Sequence, residues 1–434
     1  MSSDAAHEAP SADDVLARIH REEHSRLLAT LVRRLGDLDL AEDAAQEAMA
    51  AALRTWPAQG VPERPLAWLT TAAKNVALDR VRHDQVAARR LAELHLQQGE
   101  PVGPPADERA LAAGDLPDER LAMLMGCCHP AIAPADRIAL MLRFVGPLST
   151  AEVAQALLIP VPTLQARITR AKKRIRTQHI PLTVPADPEE RDRRVPLVLT
   201  AISLVFTEGY SATGGDAPIR RELTAEAIRL ARIMHHLSPG AAEPAGLLAL
   251  LLLTDARTPA RLDADGVPVP LEDQDRSLWD HEQVAEGLAL AEEAAGREDA
   301  GRFTIQAAIA ALHGEAARFA TTDWEQIVAL YSMLLMHGED PVVRMNRAIA
   351  VGRAREPRDA LDLLEELAEE PELARHHPFH VALALVREEV GQREAAVADW
   401  ERALALAEGT GERRFIQRRL ARAREDGGAP DGDR

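Results

Sequence analysis

Between residues 148 and 176 the apolar positions form two short runs with helical spacing. Ser149, with Glu152 three residues later, has the S-x-x-E pattern of a capping box and predicts a helix start. Pro160 and Pro162 then interrupt the pattern, and Pro162 suits the first position of a second helix. The buried stripe predicted for that second helix consists of Leu164, Ile168, Ala171 and Ile175. The pattern therefore predicts two short helices joined by a tight turn.

Two more helices are predicted upstream of this pair. The segment 35–57 is rich in alanine, and Asp39 is predicted to cap it, with Glu42 three residues on. In the segment 65–84 a core stripe is formed by Leu66, Leu69, Ala73 and Val76. The polar residues Asn75, Asp79 and Arg82 fall on another face of that second helix.

The last third of the chain contains a repeat of helical spacing. The residues Ala348, Ala360, Leu364 and Leu367 are matched 36 positions later by Ala384, Ala396, Trp400 and Ala403. Each copy predicts two antiparallel helices, with small residues where the helices approach each other. The pattern resembles tetratricopeptide (TPR) repeats, whose stacked helix pairs form a concave binding surface. A non-repetitive helical bundle is the alternative.

Between helices, the Asp-Gly turn in 260–272 predicts a small β-hairpin.

Composition narrows the class of protein. Aromatic residues make up 3% of the chain, and no apolar run reaches the length of about 18 residues that a membrane span needs. The polar amino-terminal segment has no signal-peptide pattern. Cys127 and Cys128 are adjacent, which excludes a disulfide framework and a metal site of ordinary spacing. No Ser/His/Asp, paired-carboxylate or metal constellation stands out in 181–434. We therefore expect a cytoplasmic, all-α protein with no cofactor or metal and no enzymatic activity.

Charge divides the chain into two parts. Residues 1–180 carry 22 Lys and Arg against 23 Asp and Glu, whereas the remainder carries 29 against 46. The second predicted helix of the 148–176 pair nevertheless has six basic residues within ten positions, and no acid occurs between Glu152 and Asp187. A cationic second helix after a tight turn is typical of a DNA-binding helix-turn-helix. A solvated amphipathic helix hairpin is the alternative interpretation of this segment.

In this order, the acidic capped helix, the polar helix and the helix-turn-helix resemble a bacterial sigma factor of the extracytoplasmic-function (ECF) class. The resemblance covers roughly residues 15–85 and 117–178. It implies binding to the clamp helices of the largest subunit of core RNA polymerase, and binding to promoter DNA at the −10 and −35 elements. The polymerase-binding residues that it implies are Asp37, Asp39, Glu42, Asp43, Gln46 and Glu47. Those implied at the −10 strand are Trp68, Lys74, Asn75, Asp79, Arg80 and Arg82. Those implied at the −35 duplex are Thr163, Gln165, Arg167, Arg170, Lys172, Lys173 and Arg174.

Two of these assignments have structural alternatives. The acidic segment is also compatible with an ordinary capped surface helix, and Trp68 with a place in the core. The sequence departs from the class at Pro162, where glycine is common.

The predicted domains follow from this resemblance. They are sigma domain two (12–92), a flexible Gly- and Pro-rich linker (93–116), sigma domain four (117–180), a helical extension (181–320), TPR-like repeats (321–425) and a tail (426–434). The architecture resembles a subgroup of ECF sigma factors that carry a TPR-like carboxy-terminal extension in place of a separate anti-sigma factor. The resemblance implies regulation by the fused domain and a protein or peptide ligand for it. A helix-turn-helix repressor with a TPR-like protein-binding domain is the alternative function.

Overall fold

The computed structural model describes residues 11–96, 118–146, 148–157, 159–211 and 219–426. Within these ranges it contains nineteen α-helices and no strand beyond one isolated bridge, so the predicted all-α fold is confirmed. None of the described helices is both long enough and apolar enough to cross a bilayer. Most of the predicted linker and nearly all of the predicted tail lie outside these ranges.

The chain divides into two units, residues 1–201 and 202–434, with the division inside one helix. The helices up to that boundary are α1 (Ala12–Glu22), α2 (His24–Leu35), α3 (Leu38–Gln59), α4 (Pro65–Leu96), α5 (Glu119–Cys127), α6 (Pro134–Phe144), α7 (Thr150–Ala156), α8 (Val161–Gln178) and α9 (Pro188–Tyr210). Helices α1–α4 form a first helical subdomain and α5–α8 a second. The subdomains contact each other within the first unit, because α2 packs against α5.

Helix α3 begins two residues earlier than the sequence suggested. Asp37, not Asp39, is the cap: its carboxylate accepts hydrogen bonds from the backbone N–H groups of Asp39 and Leu40, at 2.8 and 3.0 Å. Because Asp37 caps the helix, the carboxylate of Asp39 does not bind backbone N–H groups and is available for side-chain contacts. Helix α8 begins at Val161, with Pro160 at the N-cap position. Pro162 is therefore the second residue of the helix and not the first, as the sequence suggested.

Small side chains hold α3 against α4. Five alanines of α3 are fully buried, which brings the two helices close together: Ala41, Ala44, Ala45, Ala48 and Ala52. Trp56 is buried near the end of α3 and meets Trp68 of α4 edge to face, with ring centroids 5.5 Å apart. This packing fixes the direction in which the polar face of α4 points.

The second unit contains ten further helices. They are α10 (Arg221–Leu237), α11 (Ala242–Asp255), α12 (His281–Ala295), α13 (Arg302–Glu315), α14 (Trp324–Leu335), α15 (Pro341–Ala354), α16 (Pro357–Glu366), α17 (His377–Glu389), α18 (Arg393–Leu406) and α19 (Thr410–Asp426). All eight residues of the 36-residue pattern are buried, in the helix pairs α15–α16 and α17–α18 and at their ends. Trp400 is fully buried, and its indole N–H donates to Glu388 Oε1 at 2.8 Å.

The predicted hairpin is reduced to a tight turn with one antiparallel bridge, between Leu262 and Pro268. Asp263 organises the turn by accepting hydrogen bonds from the backbone N–H groups of Asp265 and Val267, both at 2.9 Å. Arg418 of α19 pairs with Asp263 and Asp265, at 2.8 Å each. The turn therefore serves as a contact point for the last helix of the same unit.

Candidate functional site

Helices α7 and α8 form the predicted helix-turn-helix. The Ser149 hydroxyl accepts from the backbone N–H of Glu152, and the Glu152 carboxylate accepts from the backbone N–H of Ser149, at 3.2 and 2.6 Å. This reciprocal capping box fixes the start of α7 as predicted. Helix α8 is anchored on α6 and α7 through three buried residues: Leu164, Ala171 and Ile175.

The other faces of α8 are polar and largely exposed. Thr163 and Gln165 are exposed at its amino-terminal end, where a recognition helix meets base edges. Lys173 and Arg174 are exposed further along, and Arg167 is half-buried. Arg174 also donates to the backbone carbonyl of Ala131 at 3.1 Å, so its guanidinium is held in a fixed position.

Arg170 has a structural partner as well as an exposed position. Its guanidinium lies 3.1 Å from Oδ1 of Asp136, whose side chain is 9% exposed in the first turn of α6. A buried carboxylate that loses its counter-charge is costly. Substitution of Arg170 therefore affects the stability of the second subdomain in addition to any ligand contact.

The acidic residues of α3 divide into two groups. Asp43 pairs with Arg80 of α4 at 2.6 Å and Glu47 with Arg54 at 3.5 Å, and all four side chains are more than half exposed. Gln46 is exposed beside them. Asp43 and Glu47 are thus exposed carboxylates that are each paired with an arginine, and their polymerase-binding role stays a prediction.

Asp39 and Glu42 instead face the second subdomain. Glu42 accepts from Arg143 at 3.1 Å and from Lys172 at 2.7 Å. Asp39 pairs with Lys172 at 2.9 Å and with Arg176 at 3.0 Å. The structure thus brings together two residues predicted to bind polymerase and one predicted to bind DNA, Lys172, in a single ion-pair network.

Lys172 is the centre of this network, with a side chain that is 15% exposed. Burial by itself lowers the pKa of a lysine, but the hydrogen bonds to Glu42 and Asp39 outweigh it, so the pKa of Lys172 lies above its usual value. Its ammonium also lies 5.1 Å from the centroid of the Phe144 ring. Lys172 is therefore firmly charged and held between the subdomains.

The residues predicted to meet the −10 strand follow one another along α4. Lys74, Asn75, Asp79, Arg80 and Arg82 are exposed. Trp68 is half-buried against Trp56. One side of its ring belongs to the core and the other side is exposed, so neither of the two alternatives for Trp68 holds alone. Helix α4 thus offers polar side chains and one aromatic edge on a rigid support.

The adjacent cysteines have the character of core residues. Cys127 and Cys128 are 0% and 2% exposed, and burial raises the pKa of both thiols, that of Cys128 to about 12. Across the described ranges no group of His, Cys, Asp and Glu has the arrangement of a metal site. These cysteines stabilise α5 by packing.

Family comparisons agree with this geometry. Residues 19–86 match sigma-70 region 2, residues 122–175 match sigma-70 region 4, and residues 194–295 match a family of unknown function, DUF6596. The uncharacterized protein R00370 of Rhizobium meliloti (strain 1021) is 39% identical over 398 residues, which cover 91% of this chain and 92% of that protein. The chain belongs to the same family as R00370. Its regions 2 and 4 make it a sigma factor of transcription initiation.

A second relative matches a smaller share of this sigma factor. The ECF RNA polymerase sigma factor SigK of Mycobacterium ulcerans (strain Agy99) is 27% identical over 164 residues. These residues are 38% of this chain and 84% of SigK. The residues matched by regions 2 and 4 lie in the first and the second helical subdomain, respectively.

Three residues at the boundary of regions 2 and 4 were not identified from the sequence. Arg143 of region 4 bonds to Glu42, and Glu119 bonds to Thr30 and Arg33 of α2. His24 lies beside Arg143 and Glu42 and is largely buried. No spacing signal reveals Arg143 and Glu119, because their partners are 86 to 101 positions away in the chain.

His24 gives this sigma factor a pH-dependent stability. Burial, together with nearby His20 and Arg143, lowers the pKa of His24 to about 4. In the unfolded chain His24 becomes protonated below about pH 6.5, whereas in the folded chain it stays neutral until the pH approaches 4. Protonation therefore favours the unfolded chain, and the free energy of unfolding falls as the pH drops from about 6.5 towards 4. We expect the free energy of unfolding to fall over this range by up to about 3 kcal/mol more than in His24→Gln.

Urea unfolding followed by circular dichroism at about pH 7 and about pH 5 measures this difference. The matched control is His337→Gln, which removes an exposed histidine from the second unit. An equal pH dependence in wild type and His24→Gln would contradict the buried, neutral state of His24.

Proposed function

We propose that this sigma factor belongs to the ECF class, binds core RNA polymerase through α3 and directs initiation at promoters with −10 and −35 elements. The observation that carries the proposal is the combination, in one unit, of an acidic surface on α3 and a cationic, acid-free α8 within sigma-70 regions 2 and 4. An acidic surface attracts a basic protein partner and repels phosphate. A cationic helix attracts phosphate and repels a basic protein surface. The similarity to SigK supports the ECF class.

The −35 role rests on the exposed side chains of α8. In this proposal Thr163 and Gln165 contact base edges, and Arg167, Arg170, Lys173 and Arg174 contact phosphates. Lys172 joins this set only when its bonds to Asp39 and Glu42 are broken. The −10 role rests on α4, where Asn75, Arg80 and Arg82 offer hydrogen bonds and charge to a single strand, and the exposed edge of Trp68 offers stacking.

The second unit is proposed to regulate the sigma regions to which it is fused. The part of the chain after residue 180 has a net charge of −17, so it has no electrostatic reason to bind DNA itself. A domain tethered on the same chain is present at roughly millimolar effective concentration, which populates even a weak contact. In the subgroup that the chain resembles, the fused extension is needed for activity, and this resemblance favours an activating role.

A TPR-like groove is the proposed ligand site of that unit. A groove of about 240 Å³ lies between α15 and α17, with mainly apolar side chains that include Met345, Ile349, Val381 and Leu385. Paired helices with a concave apolar surface suit a protein or peptide segment.

Run-off transcription with core polymerase and a library of promoter sequences tests the main proposal. We expect transcripts from a subset of promoters that share −10 and −35 sequences, and none with core polymerase alone. The helix-turn-helix repressor is the competing function. Footprints without transcripts, or an effect only on initiation by another sigma factor, would favour the repressor.

A further inference from the structure

Three arginines of the second unit lie close together and are called here the arginine cluster. Arg257 and Arg261 flank the short turn that follows α11, and Arg276 begins another short turn before α12. Tyr210 joins the first two: its hydroxyl accepts from Arg257 Nη2 at 3.1 Å, and its ring centroid lies 3.7 Å from Cζ of Arg261. Burial lowers the pKa of Arg276, and the nearby charge of Arg257 lowers it further. The three positive charges therefore act on one another.

The hydrogen bonds of the arginine cluster go to neutral groups. Arg261 donates to the backbone carbonyl of Tyr210. Arg276 donates to the backbone carbonyls of His313 and Ala316, at 2.5 and 2.7 Å. Among the described residues no carboxylate lies within 4.0 Å of the cluster's nitrogen atoms. By comparison, Arg387 of the same unit pairs with two carboxylates, at 2.7 and 3.2 Å.

Acidic side chains are plentiful in this part of the chain but are engaged elsewhere. After residue 180 there are 46 Asp and Glu against 29 Lys and Arg. The carboxylate of Asp255 accepts from the side chains of Thr258 and Gln283, at 3.4 and 3.3 Å. Glu412 acts on the cluster only from beyond ion-pair distance, and its carboxylate lies 3.5 Å from Nε2 of His377. The cluster thus keeps a positive charge within an acidic unit.

Buried donor atoms around the cluster also lack a hydrogen-bond partner. They are Arg257 Nε, Arg276 Nη2, Trp279 Nε1 and His313 Nδ1, all shielded from solvent. Trp279 is 5% exposed, and its ring centroid lies 4.5 Å from Cζ of Arg276. Burial and the charges of Arg257 and Arg276 lower the pKa of His313 to about 4, so its ring is neutral near pH 7. One buried acceptor, Gln274 Oε1, is unpaired too, and it suffices for one donor only. Unpaired buried donors are costly and uncommon in folded proteins.

We infer that the arginine cluster, with Trp279 and His313, binds a small oxyanion, either phosphate or the phosphoryl group of a larger molecule. Phosphate carries oxygen atoms in several directions, so it can accept from several separated donors while it offsets the mutual repulsion of the guanidiniums. A carboxylate has two oxygen atoms in one plane and would leave some of these donors unpaired. The side chains of the cluster and of His313 are only partly buried, so the site borders solvent.

An anion at this site connects segments that are far apart in the chain. The end of α9, the turn after α11, the segment before α12 and the last turn of α13 each contribute a side chain. All of these residues except His313 lie in the stretch 194–295 that matches DUF6596. A bound anion therefore stabilises the second unit by linkage. The inference goes beyond the proposed function, because it requires no contact between this unit and the sigma regions.

The test titrates the full chain with sodium phosphate by isothermal titration calorimetry at constant ionic strength. The site is removed by Arg257→Gln with Arg276→Gln. The matched control, Arg375→Gln with Arg402→Gln, removes the same two charges from exposed positions of the same unit. Trp279→Phe keeps an aromatic ring and removes only the indole donor. Parallel titrations use sulfate, acetate and phenyl phosphate.

Wild type and the control variant are expected to bind phosphate at a single site with equal affinity. The Arg257→Gln, Arg276→Gln variant should bind at least about tenfold more weakly, because two charge-assisted hydrogen bonds are lost. Trp279→Phe should weaken binding about threefold, and acetate should bind more weakly than phosphate. Tighter binding of phenyl phosphate than of phosphate identifies a phosphorylated molecule as the ligand, and the reverse order identifies free phosphate.

Urea unfolding separates binding from a structural role of the arginines. Phosphate should raise the urea midpoint of wild type above its value in chloride of equal ionic strength, but should not raise that of the double arginine variant. Arginines that only hold the fold together would change the midpoint equally in both salts. Phosphate and sulfate also stabilise proteins in general, so an increase that the double variant shares counts against the site.

Two results would overturn the inference outright. Wild type that binds neither phosphate nor sulfate has no such site, whether or not any variant folds. Equal binding by wild type and the double arginine variant would mean an adventitious ion only. Acetate that binds as tightly as phosphate would overturn the phosphoryl class of ligand. If the double variant fails to fold by circular dichroism, wild type and Trp279→Phe decide.

Discussion

Replacing Arg167 and Lys173 with alanine is expected to lower the affinity of this sigma factor for its −35 duplex on the order of twentyfold at about 0.2 M salt. Lys173 projects from α8 on the side away from its buried stripe and is exposed, whereas Arg167 lies beside the stripe and is half-buried. Each lost phosphate contact releases about one fewer counterion, so the salt slope should decrease by about two units. Fluorescence anisotropy of a labelled duplex across a salt series measures both quantities.

The polymerase surface supplies the matched comparison. Asp43→Lys with Glu47→Lys reverses two exposed charges of α3 that take no part in the ion pairs between regions 2 and 4, and should lower polymerase affinity while the fold is retained. Arg170→Ala is a less suitable DNA variant, because it also leaves Asp136 without its counter-charge and should destabilise region 4. Equal losses of polymerase binding in the α8 and α3 variants would mean that the two surfaces are wrongly assigned.

Truncation after residue 201 is expected to leave a folded pair of sigma regions with promoter-specific transcription reduced at least about fivefold, the lower end of typical coupling between sites. Truncation after residue 183 is a poorer test. It removes Arg194, a residue 5% exposed that donates to the backbone carbonyl of Met125 in α5 at 2.8 Å. Loss of this charged hydrogen bond should cost region 4 about 2 kcal/mol.

Comparison of the two fragments separates folding from regulation. Circular dichroism and urea unfolding report on the stability of each fragment, and run-off transcription reports on its activity. If the 1–201 fragment is folded and transcribes as well as the full chain, or better, the activating role of the second unit is wrong and an inhibitory role takes its place. A fragment 1–183 as stable as 1–201 would contradict the importance of Arg194.

The sequence predicted the elements whose causes are local. The capping box at Ser149 and Glu152, the apolar stripe of α8 and the alanine face of α3 depend on residues within one or two turns, so their periodicity is visible in the chain. The 36-residue pattern likewise identified buried positions of α15 to α18, because the two helix pairs bury side chains at equivalent positions. The excess of basic residues in α8 is also visible within a few turns, and on it the proposal of a DNA-binding helix rests.

Only the tertiary structure decided which of the charged residues are covered. The sequence placed Asp39 and Glu42 with Asp43 and Glu47 as one acidic set, but the twist of α3 turns the first two towards region 4 and the last two towards α4 and solvent. Their partners Lys172 and Arg176 are 130 and 137 positions away. Hydrophobic periodicity fixes which face of a helix is buried, whereas the pairing of charges between distant segments depends on how the helices dock, and that is a property of the folded chain.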